Sequence, residues 1–271
     1  MRVSPIYSTN IKNQYASSKA QNCSFSSSYR AVEDLSGKLK YRTSTSFFRE
    51  DIEWYDLANL LGEKYKNTDK VNIVDYACSS GEEAYTIVLS LIKQLGKKTA
   101  SKFFPIVAKD IDEENIRMAK SGYLIANEKE KKFLDDSSGF FPRPFNIHSI
   151  NSYHKRQSYI YRNKAKYLIE FDRDLRKNIK FSVADINEDI NSLPQKDTVL
   201  FCRNMWPYLP SQNQIKLLDI IMEKIHNTNS LIVLGDYDMY GSPFDLNYKN
   251  FTSALKMLHL KETKVENVFE I

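Results

Sequence analysis

The sequence predicts a doubly wound α/β fold with a mostly parallel sheet and a small inserted subdomain. Three observations carry this expectation. Aliphatic and β-branched runs of strand length alternate with helical patterns along the chain, as parallel sheets built from crossover units require. Residues 71–95, VNIVDYACSSGEEAYTIVLSLIKQL, join a strand to a helix through a tight turn of small residues. Polar and acidic residues close several of the candidate strands, where open sheets of this kind bind ligands.

The elements follow in order. The first 28 residues hold eight serines, three basic residues and no acidic one, so they are expected to form a flexible tail that cannot build a core. Their acid-poor composition also resembles a transit peptide, although arginine is scarce. Tyr29 to Leu39 reads as a short helix stopped at Ser36–Gly37. Phe47, Phe48, Ile52, Leu57, Leu60 and Leu61 then recur at helical spacing. Val71, Ile73 and Val74 read as a buried strand, and Tyr85, Val88, Leu89, Ile92 and Leu95 share one face of the following helix. Further strands are expected at Phe104–Ala108, Ile179–Val183, Thr198–Cys202 and Leu231–Leu234, with helices at Glu113–Ser121 and Gln212–His226. The end of the chain, KMLHLKETKVENVFEI, reads as two short strands that close the sheet edge.

Residues from about 129 to 178 interrupt this rhythm, being too long for an ordinary connection, and are expected to form an inserted subdomain. Between His154 and Lys177 the sequence has eight Lys or Arg and three Asp or Glu, a surplus equal to the net charge of +5 of the whole chain. The alternation in KYLIEF suggests an antiparallel element there.

Composition excludes several classes of function. At 271 residues and 42% hydrophobic content, the chain has material for one main domain. Cys23, Cys78 and Cys202 lack C-x-x-C spacing, and His148, His154, His226 and His259 lack ligand spacing, so no metal site is expected. The odd cysteine count without a signal peptide points to reduced thiols and a cytoplasmic protein. No run approaches ~18 apolar residues, so no membrane insertion is expected.

The charge in the glycine turn discriminates among ligands. A phosphate cradle presents bare backbone N–H groups, glycines and usually a lysine, whereas Glu82 and Glu83 stand here at the helix start. Two carboxylates suit the sulfonium, amino group and ribose of S-adenosylmethionine. They also suit a helix macrodipole, which favours each by roughly 0.3–1 kcal/mol, so charge alone leaves both readings open. Asp110 closes the second strand, where a ribose is hydrogen-bonded in such folds, and Asp112 reads as a helix N-cap. Asp185 could meet an adenine amino group while Ile186 packs on the ring. In a parallel sheet Gly81, Glu83, Asp110, Asp185 and Asn204 converge on one cleft.

Five ordered blocks, TSTSFFRE, DYACSSGEEAY, AKDID with SGY following, KFSVADI and FCRNMWPY, resemble the signatures of the chemotaxis-receptor methyltransferases of the CheR type. The resemblance covers about Arg42 to Asp238 and implies a Rossmann-like class I methyltransferase fold spanning 29–271. It also implies S-adenosyl-L-methionine as cofactor and transfer of its methyl to protein glutamates. Carried over block by block, the cofactor contacts would be Thr43, Thr45, Arg49, Ala77, Gly81, Glu83, Asp110, Asp185, Ile186, Asn204 and Met205. Arg49 and Tyr208 would flank the reacting centre. Read without the resemblance, Arg49 is a surface arginine paired with Asp51 or Glu53, and Tyr208 is a core aromatic beside Trp206 and Pro207.

The sequence also departs from the pattern. Thr43 stands where an asparagine is common, Trp206 and Pro207 replace aliphatic residues, and only about forty residues precede the first block, where the family usually carries a helical domain. The expected partner is an acidic, glutamate-bearing, receptor-like or signalling protein, acted on by a monomeric enzyme. A nucleic acid is the alternative partner, because Tyr153, Tyr159, Tyr161 and Tyr167 interleave with cations. The competing functions are an N-methyltransferase of nucleic acid or a small molecule, and a non-catalytic cofactor sensor. NMWPY is one residue longer than the N-P-P-Y turn that amino-group methyltransferases use.

Overall fold

The structure is a computed structural model that describes residues 32–33, 39–40, 45–136, 143–150, 166–240 and 246–271. The expected tail, Thr43 and most of the basic run from His154 onward lie outside the described residues. The strands β1 (Val32–Glu33) and β2 (Leu39–Lys40) pair antiparallel, so the helix expected over Tyr29 to Leu39 does not form at these residues. Val32 is β-branched, which favours strand over helix.

Helix α1 (Trp54–Lys64) starts later than the apolar spacing from Phe47 suggests. Phe48 adopts a left-handed φ of 48°. The N–H groups of Phe47 and Phe48 donate to Glu130 Oε1 (3.1 Å) and Thr86 Oγ1 (3.1 Å), tertiary acceptors that replace helical ones. Phe47, Phe48 and Ile52 are nevertheless buried, so the period marked the core correctly and the backbone incorrectly.

The chain then lays down β3 (Asn72–Tyr76), α2 (Glu82–Ala100), β4 (Ile106–Asp110) and α3 (Glu113–Ser121). β4 begins two residues after the expected Phe104 because Pro105 has no N–H to give a ladder. The insert follows: β5 (Tyr123–Ala126), α4 (Glu128–Asp136), β6 (Phe145–Ser149) and β7 (Tyr167–Phe171). Its strands form an antiparallel sheet in the order β5-β7-β6, so the irregular stretch begins at Tyr123 rather than at about 129. The alternation in KYLIEF becomes β7, whose Ile169 and Phe171 are buried. Tyr85 of α2 stacks on Phe171 at 4.0 Å between ring centroids and 5° between planes, which fastens the small sheet to the main body.

After α5 (Arg173–Arg176) come β8 (Ile179–Val183), α6 (Ile186–Asp189), β9 (Thr198–Phe201), α7 (Ser211–Ile225), β10 (Leu231–Val233), α8 (Asp236–Tyr240) and α9 (Leu246–Met257). The last elements are β11 (Lys261–Glu262) and β12 (Val268–Glu270). The main sheet is seven-stranded, in the order β11-β12-β10-β9-β3-β4-β8. From β10 to β8 every neighbouring pair is parallel, while β12 and β11 run antiparallel at the edge.

Both faces of the sheet are covered. Ile73 and Phe201 pack with α1 and α2 on one face, while Val74, Tyr76 and Leu200 pack with α7 and α9 on the other. A strand buried on both sides reads as a continuous apolar run, as Thr198–Phe201 does. Burying one such Ile, Leu or Phe contributes about 1.5–3 kcal/mol. From β3 the chain builds outward through β4 to β8 and then returns to place β9 on the other side of β3. The order therefore reverses between β3 and β9, and the crevice at their carboxyl ends is where this class of sheet binds ligands.

Candidate cofactor site

The turn after β3 supplies one wall of that crevice. Ala77, Ser79 and Gly81 adopt left-handed φ values of 59°, 51° and 101°. Two of the three are not glycine, and each such residue costs of order 1–3 kcal/mol, which surrounding bonds must offset. Cys78 N–H donates to the Lys109 carbonyl (3.0 Å), Gly81 N–H to the Cys78 carbonyl (3.0 Å), and Ser79 N–H to Asp110 Oδ2 (2.8 Å). A Cβ on Gly81 would stand 2.9 Å from Ala119 Cβ and 3.2 Å from Phe181 Cζ, so the position needs glycine for space as well as for φ.

Asp110 has a second duty in the structure. Its Oδ1 accepts the Asp112 N–H at 2.8 Å, so one carboxylate braces both the glycine turn and the start of the next loop. Asp112 caps α3 as expected, accepting from the N–H groups of Glu114 and Asn115. Burial raises the Asp110 carboxyl above its ordinary range, against the two backbone donors. Asp185 is the N-cap of α6, accepting from Asn187 N–H at 2.9 Å, with Ile186 buried beside it.

The two glutamates divide differently from the simple reading. Glu82, which the sequence leaves as a first-turn carboxylate, is only 1% exposed and accepts the Ser80 hydroxyl at 2.7 Å. Glu83 is half-buried and its Oε2 accepts Arg203 Nη1 at 2.5 Å. Burial pushes the Glu83 carboxyl up, while Arg203 pulls it down.

Arg203, which the sequence reading passed over, is the hub of the site. Its guanidinium is 1% exposed, pairs with Glu83 and with Asp51, and lies 4.8 Å over the Trp54 ring. Asp51 in turn accepts Asn204 Nδ2 at 2.8 Å and stands 3.6 Å from Arg49 Nε. The Arg49–Asp51 pairing considered for a bare surface arginine is therefore present, but its aspartate also belongs to the buried network. The signal was available in FCRN: an arginine directly after a fully buried strand needs counter-charges nearby.

Asn204 is held on every side. Its φ is 55°, its Oδ1 accepts the Tyr237 N–H at 3.0 Å, and its own N–H donates to Asp238 Oδ2 at 2.5 Å. Asp238, fully buried, also accepts the N–H groups of Gly235 (2.9 Å) and Trp206 (3.1 Å), tying the loop after β9 to the loop after β10. Burial pushes its carboxyl up to about 7 against those three donors. Met205 is buried and Tyr208 is 42% exposed, its ring 5.9 Å from that of Tyr237. The core aromatic of this loop is Trp206, which stacks on Phe251 at 4.5 Å.

The structure thus brings Gly81, Glu83, Asp110, Asp185, Ile186, Asn204 and Met205 to the carboxyl ends of β3, β4, β8 and β9, with Arg49 joined to them through Asp51. Ala77 is exposed at the turn and Thr45 half-buried. Burial raises the thiols of Cys78 and Cys202 well above their ordinary range, so neither offers a thiolate nucleophile. Among the described residues there is no cluster able to hold a metal ion, and no helix is long and apolar enough to cross a membrane.

Residues 43–138 and 124–242 match the family described as CheR methyltransferase, SAM binding domain. The chain belongs to this family. Chemotaxis protein methyltransferase 2 of Vibrio cholerae is 26% identical over 196 residues, covering 70% of this chain and 60% of that protein. Chemotaxis protein methyltransferase 2 of Pseudomonas aeruginosa is 28% identical over 178 residues, covering 65% and 56%. The chain thus spans about 60% or less of the length of these relatives. Among solved structures, the plantazolicin methyltransferase BpumL in complex with a monoazolic desmethylPZN analogue and SAH covers 76% of this chain and 62% of its own at 14% identity. Its TM-score is 0.37.

Proposed function

We propose that this CheR-family chain is an S-adenosylmethionine-dependent O-methyltransferase that esterifies glutamate side chains of a receptor-like or signalling protein. The observation that carries the reading is the convergence of Glu83, Asp110, Asp185 and Asn204 at the carboxyl ends of successive parallel strands, in a chain whose residues 43–242 match the family. The site fits the cofactor on its own chemistry. Its wall is acidic and held by buried bonds, and the turn at Gly81 lets the backbone come close, which suits a sulfonium and a ribose better than a phosphate.

In this reading Thr45, Ala77, Gly81, Glu83 and Asp110 line the cofactor on one side, with Asp185, Ile186, Asn204 and Met205 on the other; Thr43 completes the set from outside the described residues. The cofactor supplies an electrophilic methyl carried on a sulfonium. The acceptor glutamate, with a pKa near ~4.3, is ionised at neutral pH and needs no general base. Arg49 orients that carboxylate, because its guanidinium is 36% exposed and can turn from Asp51 toward an arriving acid. Tyr208, exposed at the rim beside Tyr237, adds a hydroxyl to the acceptor side. Catalysis then rests on holding the reactants in line and on excluding water from the crevice.

The domain assignment belongs to the same proposal: a flexible tail over 1–28, then a single methyltransferase domain over 29–271 whose inserted subdomain, expected over about 129–178 and opening with β5 at Tyr123, docks the acidic partner. The protein acts as a cytoplasmic monomer. Calorimetric titration with S-adenosylhomocysteine tests the cofactor reading. Binding well below millimolar supports it, and no heat, or millimolar binding only, overturns it.

A further inference from the structure

Asp75 lies in the middle of the main sheet, in register with Ala108 of β4 on one side and Phe201 of β9 on the other. It shares the face of the sheet that carries Ile73 and Phe201, where the Trp54 ring stacks on Phe201 and the Arg203 guanidinium lies over Trp54. It is 0% exposed, and neither carboxylate oxygen has a hydrogen-bond partner among the described residues. The Nε of Arg203 has none either, although both Nη atoms are engaged by Glu83 and Asp51. An isolated buried carboxylate costs several kcal/mol unless it is paired or neutralised, and for packing alone a valine would serve β3 better.

The groups that face Asp75 are Glu83 from α2, Arg203 from the end of β9 and Asp110 from the end of β4, with the buried thiols of Cys78 and Cys202 nearby. Carboxyl groups outnumber the one cation among them. Burial first, and then Glu83, hold the Asp75 carboxyl well above the usual carboxylate range, opposed by Arg203. Buried without a hydrogen-bond partner and close to Glu83 and Asp110, the Asp75 carboxyl favours its neutral form in the free protein. A cation placed in the crevice favours its ionised form.

We propose that Asp75 is a further residue of the cofactor site and that binding of S-adenosylmethionine, a cation, expels its proton to solvent. The inference rests on the cofactor reading above. The step is a proton dissociation: the O–H bond of Asp75 breaks, the electron pair stays on the carboxylate, the proton passes to buffer, and the bound sulfonium balances the new charge. Cofactor affinity then rises with pH, because the proton and the cation compete for one carboxylate.

Calorimetric titration of the full chain with S-adenosylmethionine, in buffers of different ionisation heat at one pH near 7, counts the protons released. The wild type is expected to release about one more proton per site than Asp75→Asn, and S-adenosylhomocysteine, which lacks the sulfonium, is expected to release fewer. Equal proton counts in the two proteins, with binding retained, overturn the inference and leave the cofactor reading intact. No heat with either ligand in the wild type overturns the cofactor reading and this inference with it. If Asp75→Asn does not fold, the infrared difference spectrum of the wild type decides. Loss of a protonated-carboxyl band on addition of S-adenosylmethionine supports the assignment, and an unchanged spectrum in that region overturns it.

Discussion

Replacing Arg203 by methionine removes the buried cation that pairs with both Asp51 and Glu83, and leaves the volume of the side chain largely filled. Asp51 is 5% exposed and Glu83 17%, so neither carboxylate can recover its hydration by a small movement. Removing one partner of a buried ion pair costs about 3–5 kcal/mol, because an uncompensated charge stays behind. The loss of the stack on Trp54 adds about 1 kcal/mol. Arg203→Met is therefore expected to lose about 4–6 kcal/mol of unfolding free energy at neutral pH in urea titrations followed by far-UV circular dichroism. Part of the loss should return as the pH is lowered, because burial already raises the Glu83 carboxyl and its stranded charge is removed by protonation. Arg203→Lys keeps the charge but not the two-pronged geometry, and should fall between the two proteins. A loss below about 1 kcal/mol for Arg203→Met, independent of pH, would refute the argument that this arginine holds the crevice together.

Three further outcomes follow from the same geometry. In Gly235→Ala the new Cβ would stand 2.3 Å from Asn204 Nδ2. It should cost about 1–3 kcal/mol by overpacking and weaken S-adenosylhomocysteine binding, which urea titration and calorimetry check separately. Asp110→Ala leaves the N–H groups of Ser79 and Asp112 without their acceptor, so cofactor affinity should fall at least tenfold, whereas Tyr208→Phe should leave affinity near wild type and mainly slow transfer; equal affinity in Asp110→Ala would remove that residue from the site. The Asp238 carboxyl stands at about 7 in the folded chain against an ordinary 3.8, so its contribution to stability is full below pH 3.8 and is lost as the pH rises through about 7. The wild type minus Asp238→Asn difference in unfolding free energy should therefore shrink from pH 4 to pH 7.5, and a difference that grows over that range would contradict the assignment.

Much of the frame was legible because the strands are buried on both faces. Thr198–Phe201 and Leu231–Val233 announce themselves as short apolar runs, and Glu113–Ser121 is bounded by its own cap at Asp112 and by Gly122. The glycine turn was legible for a similar reason, since small residues between a strand and a helix admit few conformations. What escaped notice depends on contacts distant in sequence. Glu82 and Glu83 differ by one position, and only the helix phase, with Arg203 arriving from 120 residues away, decides which is buried and which is paired. The residues around Phe47 looked helical because their apolar spacing records burial, while their N–H groups are taken by Glu130 and Thr86. Asp75 was hidden in plain view, its charge masked by a run that otherwise reads as an ordinary buried strand.

The most direct test of the proposed activity is transfer of a labelled methyl group from S-adenosylmethionine into protein of the source cell by the purified chain, followed by mild alkali. Release of the label as volatile methanol, lost in Arg49→Ala, is the predicted result, because methyl esters of glutamate hydrolyse in base. Label that enters protein or nucleic acid and survives alkali would contradict O-methylation of a carboxylate and point to methylation of nitrogen.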